Sequence, residues 1–399
     1  MTMKIGVFGG TFNPIHRGHL AAASAAAGQL SLDKLLLIPD AIPPHKPLPS
    51  GSAGAEERLE MVQLCTAEVS APAEVLDLEL RRQGASYTCD TLAQLREQYP
   101  EEELFLLMGS DMFLSFETWR QPERICDLAT LAVFSRREES EAAAFARQKQ
   151  RLEETYGAHI RVLENPEVVE ISSTELREKL SRGAGRAYLT EPVYGYILRK
   201  GLYGTKADLK HLTPEELRPI ALSYLKPKRM PHVLGTEQEA VRLVRRYGGD
   251  ETQARIAALL HDCTKKLDMA QQLALCERYG IVLDELEQRA LKLLHSKTGA
   301  AIARDVFGVE DAVYDAILYH TTGKPDMTRL EKIIYLADYI EPTRDFPGVD
   351  ELRKTVYEDL DKGLLMGLTM TIQEMEEMGN PVHHLTRDAR DYLLKRGIR

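Results

Sequence analysis

The stretch Gly9-Gly10-Thr11-Phe12-Asn13-Pro14-Ile15-His16-Arg17-Gly18-His19 decides the fold of the first half of the chain. Ahead of it, Met3 to Phe8 reads as a short buried strand, β-branched and aromatic at Ile5, Val7 and Phe8. Behind it, Leu20 to Leu30 is rich in alanine and leucine, a strong helix former. The paired glycines let backbone approach a ligand closely because no Cβ intervenes. The helix start adds unpaired N–H groups and the positive end of its dipole. Together these make a phosphate site before any side chain is counted. Thr11 contributes a hydroxyl, and His16 and His19, three residues apart across the junction, are placed to turn toward one anion. The spacing is that of neither a Walker loop nor a GxGxxG fingerprint. Zinc binding by the pair alone lacks a nearby third ligand.

Working outward, the 399 residues exceed one ordinary core and predict two domains, 1–204 and 205–399. Hydrophobic residues at 44% and charged residues at 28% are ordinary for a globular chain. A net charge of −10 argues against a general nucleic-acid binder, though a local pocket can still hold phosphate. Five cysteines without a CxxC pair read as reduced thiols. The N-terminus enters a strand without a basic-then-apolar leader, and no run approaches the ~20 apolar residues of a membrane span. A cytoplasmic protein without nucleic-acid or membrane partners is the expectation, and a homo-oligomer is left open.

In the first half, strands are expected at Lys4–Phe8, Lys34–Pro39, Glu74–Leu78, Leu104–Met108, Thr130–Phe134 and Ile160–Leu163. Helices are expected at Gly18–Gln29, Ala55–Val69, Thr88–Gln98 and Pro122–Leu128. This alternation predicts an α/β domain with a Rossmann-like parallel sheet, its ligands at the carboxyl ends of the strands. Polar clusters follow those ends. Asp40 to Pro47 is a proline-stiffened loop in which Lys46 offers a cation. Ser86 to Thr91 opens a helix, where Thr88 is either a cap or a ligand contact. Gly109-Ser110-Asp111 places an acid where ribose hydroxyls commonly bind. Trp119, the single tryptophan, is either core or a stacking platform. Ile171-Ser172-Ser173-Thr174-Glu175-Leu176-Arg177 carries more hydroxyls than one cap needs, with Arg177 a turn inside, where it reaches past the helix end toward a polyphosphate.

The first of these stretches resembles the HxGH signature of the nucleotidylyltransferase superfamily. As far as Gly201-Leu202-Tyr203-Gly204 the chain resembles the nicotinate-nucleotide adenylyltransferase family, on Gly9 to His19, Pro43 to Lys46, Ser86 to Leu92, Gly109 to Asp111, Trp119, Arg136 and Ile171 to Arg177. That family usually has Asp where this chain has Asn13, a position that mainly shapes the loop. The resemblance implies in-line attack by the phosphate of nicotinate mononucleotide on the α-phosphorus of ATP, with pyrophosphate leaving. It implies that His16, His19 and Arg177 neutralise the triphosphate together with Mg²⁺. It further implies nucleotide contacts from Gly9, Gly10, Thr11, Phe12, Gly109, Asp111, Ser172 and Ser173, and contacts to the nicotinate nucleotide from Lys46, Thr88, Trp119 and Arg136. A phosphopantetheine-type adenylyltransferase is the alternative, against which Ser86–Leu92 and Trp119 argue.

Gly201 to Pro214 lacks periodicity and reads as the boundary; Thr213-Pro214-Glu215-Glu216 then opens a helix. Beyond it the patterns are helical, at Gln238–Tyr247, Thr252–Leu260, Met269–Tyr279, Leu286–Leu294, Gly299–Val306, Glu310–His320, Arg329–Tyr339 and a long run to Met378. This half is expected to be all-α. His232, His261-Asp262, His295, His320 and Asp338 each interrupt an apolar context. A buried carboxylate there is costly unless it is paired or binds a metal. The order H…HD…H…H…D resembles the HD-domain metal phosphohydrolases, in particular the bacterial branch that cleaves diadenosine tetraphosphate symmetrically into two ADP. That resemblance implies one metal on His232, His261, Asp262 and Asp338 and a second on His295 and His320, with Asp262 bridging. The ligand chemistry suits iron, manganese or a related ion. Lys265 and Lys266 either receive the outer phosphates or form a solvated helix end. A (p)ppGpp-type hydrolase and a non-catalytic nucleotide-sensing module are the alternatives for this half.

Overall fold

In the computed structural model the chain divides into two compact units, Met1–Lys206 and Ala207–Arg399. The structure describes residues 2–42, 48–82, 84–135, 139–166 and 171–399.

The first unit is built on six parallel strands: β1 Lys4–Gly10, β2 Lys34–Pro39, β3 Ala73–Val75, β4 Glu103–Gly109, β5 Thr130–Ser135 and β6 Ile160–Glu164. Their order is β3-β2-β1-β4-β5-β6. β1 pairs with β2 through Val7 and Leu36 and with β4 through Val7 and Leu106. Leu35, Leu36 and Leu37 of β2 are all fully buried. A strand that buries consecutive side chains must have both faces covered, as parallel sheets do. The order reverses direction between β1 and β4, so the crevice at their carboxyl ends is the topological switch point where such sheets bind ligands. Gly9 and Gly10 end β1 at that point.

Several boundaries differ from the sequence reading. β3 stops at Val75, and Leu78 to Arg81 is a helical turn rather than the end of the strand. The helix from Ala55 ends at Leu64, followed by a short 3₁₀ turn at Thr66–Glu68. An 18-residue helix at Glu139–Tyr156 was not anticipated. Its described positions are mostly exposed with Leu152 fully buried, so hydrophobic periodicity carries little signal there.

The second unit is helical, and no strand occurs among its described residues. Caps set many helix starts: Thr213 with Glu216, Asp268 with Gln271, and Thr328 with Glu331 form reciprocal capping boxes. The helix expected from Gln238 begins at Met230, with Pro231 in its first turn where a missing N–H costs nothing. The helices expected at 286–294 and 299–306 are one, Leu291–Phe307. Gly299 does not break it, because the glycine faces the chain at His261, where an added Cβ would lie 3.5 Å from the carbonyl oxygen. The long run to Met378 is two helices, Val349–Glu358 and Leu360–Glu377, divided at Asp359, whose carboxylate caps the second. A last helix, His384–Lys395, was not anticipated. Among the described residues no helix is long and apolar enough to cross a membrane.

Candidate active sites

The turn after β1 opens a cavity of about 590 Å³ at the switch point. Gly9, Gly10, Thr11, Phe12, His16, His19, Gly109, Ser173 and Arg177 all line it. The two imidazoles lie close together, with ring centroids 3.8 Å apart and planes tilted by 39°. The His16 backbone N–H donates to His19 Nδ1 at 3.2 Å, which leaves the His19 ring proton on Nε2. Phe12 meets His19 edge-on at 5.3 Å. Burial lowers His16 to about 4, and burial with the neighbouring His16 lowers His19 well below its ordinary value. At neutral pH the unliganded pair is therefore uncharged and offers N–H donors rather than fixed charge. Gly18 leaves room for this pair: an added Cβ would lie 3.0 Å from the His16 ring, which would have to shift by a few tenths of an ångström.

Among the described residues, the fixed positive charge lining this cavity is Arg177. Its guanidinium donates to the Asn13 carbonyl at 2.7 Å and to Thr174 Oγ1 at 3.1 Å, which aims it across the turn. Asn13 is buried and ties the turn down further. Its amide donates to Ser52 Oγ at 2.8 Å, and Tyr203 donates to its Oδ1 at 2.9 Å. The side chain thus shapes the loop rather than facing the cavity with its polar atoms.

The structure also separates residues that the sequence grouped. Thr11 donates its hydroxyl proton to Asp40 Oδ2 at 2.7 Å, so that hydroxyl is left as an acceptor. Ser172 is the helix cap, its Oγ accepting from Glu175 N–H at 3.1 Å, while Ser173 and Thr174 line the cavity. Asp111 is exposed and lines neither this cavity nor its neighbour. Thr88 and Trp119 line a second, smaller cavity of about 120 Å³, which shares Gly9, Gly10 and Met112 with the first. Trp119 also packs on Phe116 at 5.4 Å, so it is part core and part lining. Lys46 and Arg136 lie outside the described residues.

Sequence reasoning missed Arg58. It sits mid-helix among polar residues and reads as solvent-facing, yet it is fully buried. Its guanidinium donates to the Thr11 carbonyl at 2.7 Å, to Asp40 Oδ1 at 3.0 Å and to the Ala41 carbonyl at 3.0 Å. It therefore clamps the glycine turn to the loop after β2.

In the second unit the six expected ligands meet. His232 Nε2 lies 2.9 Å from Asp338 Oδ1 and 3.3 Å from His261 Nε2. Asp262 Oδ2 faces this group, 3.6 Å from His261 Nε2 and 3.9 Å from His232 Nε2. Its other oxygen faces His295 Nε2 at 3.1 Å and His320 Nε2 at 3.9 Å, and those two nitrogens are 3.1 Å apart. The outer nitrogens are committed elsewhere: His261 Nδ1 bonds the Ala258 carbonyl and His320 Nδ1 the Ile317 carbonyl, both at 2.7 Å, while His232 Nδ1 meets Glu341 Oε1 at 3.0 Å. Each of these three imidazoles thus turns an Nε2 lone pair inward, and lone pairs at such distances repel unless a cation lies between them. Burial lowers His261, His295 and His320 to about 4, keeping them in the neutral, ligating form. Asp262 and Asp338 are held well below the usual carboxylate range. In both, burial pushes the other way and is outweighed, for Asp262 by His261, the His295 hydrogen bond and Lys265, for Asp338 by the His232 hydrogen bond, His261 and Arg344. Asp262 thus turns one buried oxygen to each group of imidazoles, and the whole donor set suits divalent metal ions.

Three cations ring this cage. Arg229 Nε approaches Asp262 Oδ2 at 2.5 Å, Arg344 reaches Asp338 Oδ1 at 2.6 Å, and Lys265 Nζ lies 3.0 Å from His295 Nε2. Lys265 therefore faces the cage mouth rather than forming a free helix end. Arg229, Arg344 and Glu341 were not singled out from the sequence, although Arg229 stands three residues before His232 and Glu341 three after Asp338. The cage opens onto a cavity of about 930 Å³ that Lys265, His295, His320, Asp338, Tyr339 and Arg344 help to line.

Comparison with known proteins follows the same division. Residues 7–179 match the cytidylyltransferase-like family, and residues 229–343 match the HD domain family. A protein of Dictyoglomus thermophilum named "Probable nicotinate-nucleotide adenylyltransferase" is 40% identical over 203 residues, spanning 50% of this chain and 100% of the relative. A protein of the same name from Thermus thermophilus is 43% identical over 202 residues, spanning 50% and 100%. A crystal structure from Clostridium acetobutylicum, described as a "predicted HD superfamily hydrolase involved in NAD metabolism", is 44% identical, covers 46% of this chain and 98% of that one, and has a TM-score of 0.45. Through its first half the chain belongs to the nicotinate-nucleotide adenylyltransferase family, and its second half carries an HD domain.

Proposed function

We propose that the first unit transfers the adenylyl group of ATP to nicotinate mononucleotide, giving nicotinate adenine dinucleotide and pyrophosphate, a step of NAD biosynthesis. The observation that carries this reading is the pair of cavities that meet over Gly9 and Gly10 at the switch point. Donor and acceptor bound on either side would bring an acceptor phosphate oxygen in line with the α-phosphorus. The oxygen–phosphorus bond forms as the bond to the pyrophosphate oxygen breaks, so no covalent enzyme intermediate is needed. His19 and His16 donate N–H groups to the phosphate oxygens, and Arg177 carries the fixed charge that stabilises departing pyrophosphate. Mg²⁺ accompanies the ATP and neutralises part of the triphosphate charge. The test is direct: the full chain with ATP, Mg²⁺ and nicotinate mononucleotide releases the dinucleotide and pyrophosphate in equal amounts. Transfer to phosphopantetheine instead would support the alternative acceptor.

For the second unit we propose metal-dependent hydrolysis of a dinucleoside polyphosphate, diadenosine tetraphosphate to two ADP. Iron or manganese at His232, His261, Asp262, His295, His320 and Asp338 would supply a hydroxide nucleophile at neutral pH and a clamp for the phosphate oxygens. Arg344 and Lys265 line the cavity at the cage mouth and take up negative charge on the phosphate chain, while Arg229 is engaged by Asp262. A second cavity of about 670 Å³ shares Tyr339, Arg344 and Glu374 with the one at the cage mouth. Two clefts meeting at an arginine suit a phosphate chain with a nucleoside at each end. Release of ADP by the full chain, abolished by chelator and restored by added metal, is the expected result. Release of pyrophosphate from a guanosine tetraphosphate instead would favour the (p)ppGpp-type alternative, and no turnover with any metal would favour a nucleotide-sensing module.

A further inference from the structure

The second cavity of the helical unit, about 670 Å³, is large enough for a nucleoside and adjoins the one at the cage mouth through Tyr339, Arg344 and Glu374. Its lining is unlike that of a phosphate site. Asp345, Glu374 and Glu377 set three carboxylates against one guanidinium, that of Arg344, among the described residues. Arg344 is itself turned toward the cage, donating to the Asp338 carboxylate at 2.6 Å and to the Asp338 carbonyl at 2.8 Å. A polyphosphate entering such a lining would meet repulsion, whereas an uncharged base with a donating amino group would meet acceptors. An aromatic platform lies in the same cavity. Phe346 lines it, half-buried, and its ring stacks on Tyr339 with centroids 5.2 Å apart and planes at 22°. Tyr339 lines both cavities, but Phe346 lines only this one. The segment that carries Phe346 is pinned from two sides. Arg353 donates to the carbonyls of Ile340 and Glu341 at 3.0 Å and of Arg344 at 2.9 Å, and the Val349 N–H donates to the Phe346 carbonyl at 3.1 Å.

We propose that Phe346 is the stacking platform for the second nucleoside of a dinucleoside polyphosphate, and that it makes the HD unit select substrates with a nucleoside at both ends of the phosphate chain. This assignment rests on the dinucleoside-polyphosphate reading above. The first nucleoside occupies the larger cavity, the phosphates cross the cage mouth at Arg344, and the second base lies on Phe346. Every base has a π face, so the stack supplies affinity, while Glu374 and Glu377 add acceptors for an exocyclic amino group such as that of adenine. Tyr339 against the ring holds it in place, so little freedom is lost when a base arrives. A nucleotide with a single nucleoside leaves the platform empty and turns its free terminal phosphate toward the carboxylates.

The experiment follows hydrolysis of diadenosine tetraphosphate and of adenosine tetraphosphate, which has one nucleoside, by the full chain and by Phe346→Ala, Phe346→Leu and Phe346→Tyr, with metal content measured for each. The wild-type chain should prefer the dinucleoside in kcat/KM. Phe346→Ala should lower kcat/KM for diadenosine tetraphosphate by roughly 5- to 150-fold, the worth of one base–aromatic stack, with most of the loss in KM. Its kcat/KM for adenosine tetraphosphate should stay within about threefold, because that substrate does not reach the platform, and its metal content should match wild type. Phe346→Leu, which keeps the bulk without the π face, carries the same test if alanine loosens the loop, and Phe346→Tyr should stay close to wild type. An unchanged ratio of the two substrates in Phe346→Ala and Phe346→Leu, or a wild-type chain that hydrolyses both equally well, would overturn the assignment alone. Failure of the wild-type chain to hydrolyse diadenosine tetraphosphate with iron, manganese or another divalent metal would overturn the functional reading and the assignment with it.

Discussion

Replacing Arg58 by Met tests how the glycine turn is held. The side chain is fully buried, and its guanidinium satisfies two carbonyls, of Thr11 and Ala41, besides the Asp40 carboxylate. Methionine of similar length fills the space but donates nothing, so two carbonyls lose this donor and the mostly buried Asp40 carboxylate loses its charged partner. Breaking a buried pair from one side costs about 3–5 kcal/mol, most of it from the charge left behind. Asp40 keeps the Thr11 hydroxyl and is slightly exposed, which places the expected loss near the lower end, about 3 kcal/mol. Denaturant unfolding of the full chain should show the first unit's transition moving by that amount while the second unit's midpoint stays in place. Turnover in adenylyl transfer should fall as well, because Thr11 and the glycines lose their anchor. Arg58→Met with Asp40→Asn should be less destabilised than Arg58→Met alone, since the unpaired charge is gone. A loss under about 1 kcal/mol in the single variant, or a double variant at least as destabilised as Arg58→Met alone, would refute this reasoning.

Other outcomes follow from the two sites. His19→Ala should cut adenylyl-transfer turnover by on the order of 10²-fold or more, the scale of a lost preorganised donor, measured by pyrophosphate release at saturating ATP. Because His16 is lowered to about 4 in the fold against 6.5 when unfolded, its burial contributes stability that is complete above pH 6.5 and is lost as pH falls toward 4. His16 alone should account for about 3 kcal/mol of weakening across that window, and His16→Gln should make the slope in pH-dependent unfolding shallower without abolishing it, because His19 is lowered too. Glu341→Gln, which weakens the partner of His232 Nδ1, should lower metal affinity of the cage roughly 10- to 100-fold, read by competition with a chelating dye. Gly235→Ala should do similar damage, because the added Cβ would lie 2.5 Å from Glu341 Oε2 and displace that carboxylate.

Much of this architecture was legible in the sequence because its signals are local. Gly9 to His19 joins a period-free apolar run to an alanine-rich one, and that alone fixes a strand, a turn and a helix. The cage was legible for a different reason: His261-Asp262 and Asp338 stand where apolar runs should continue, and buried polar groups need partners. What was not legible depends on tertiary placement. Arg58 and Glu341 look like surface residues until the neighbours that bury them are known. The three hydroxyls from Ser172 to Thr174 are equivalent in one dimension, and only the helix direction spends Ser172 on the cap while Ser173 and Thr174 reach the cavity. Thr11 seemed a phosphate donor, but the carboxylate that takes its proton comes from a loop 29 residues away.

The central claim is that the cavity at Gly9–His19 moves an adenylyl group. The most direct measurement incubates the full chain with ATP, Mg²⁺ and nicotinate mononucleotide and resolves the products, with His19→Ala run beside it. One dinucleotide per pyrophosphate, depressed on the order of 10²-fold in the variant, is the predicted result. ATP consumed without any dinucleotide, or a variant as fast as the wild type, would contradict it.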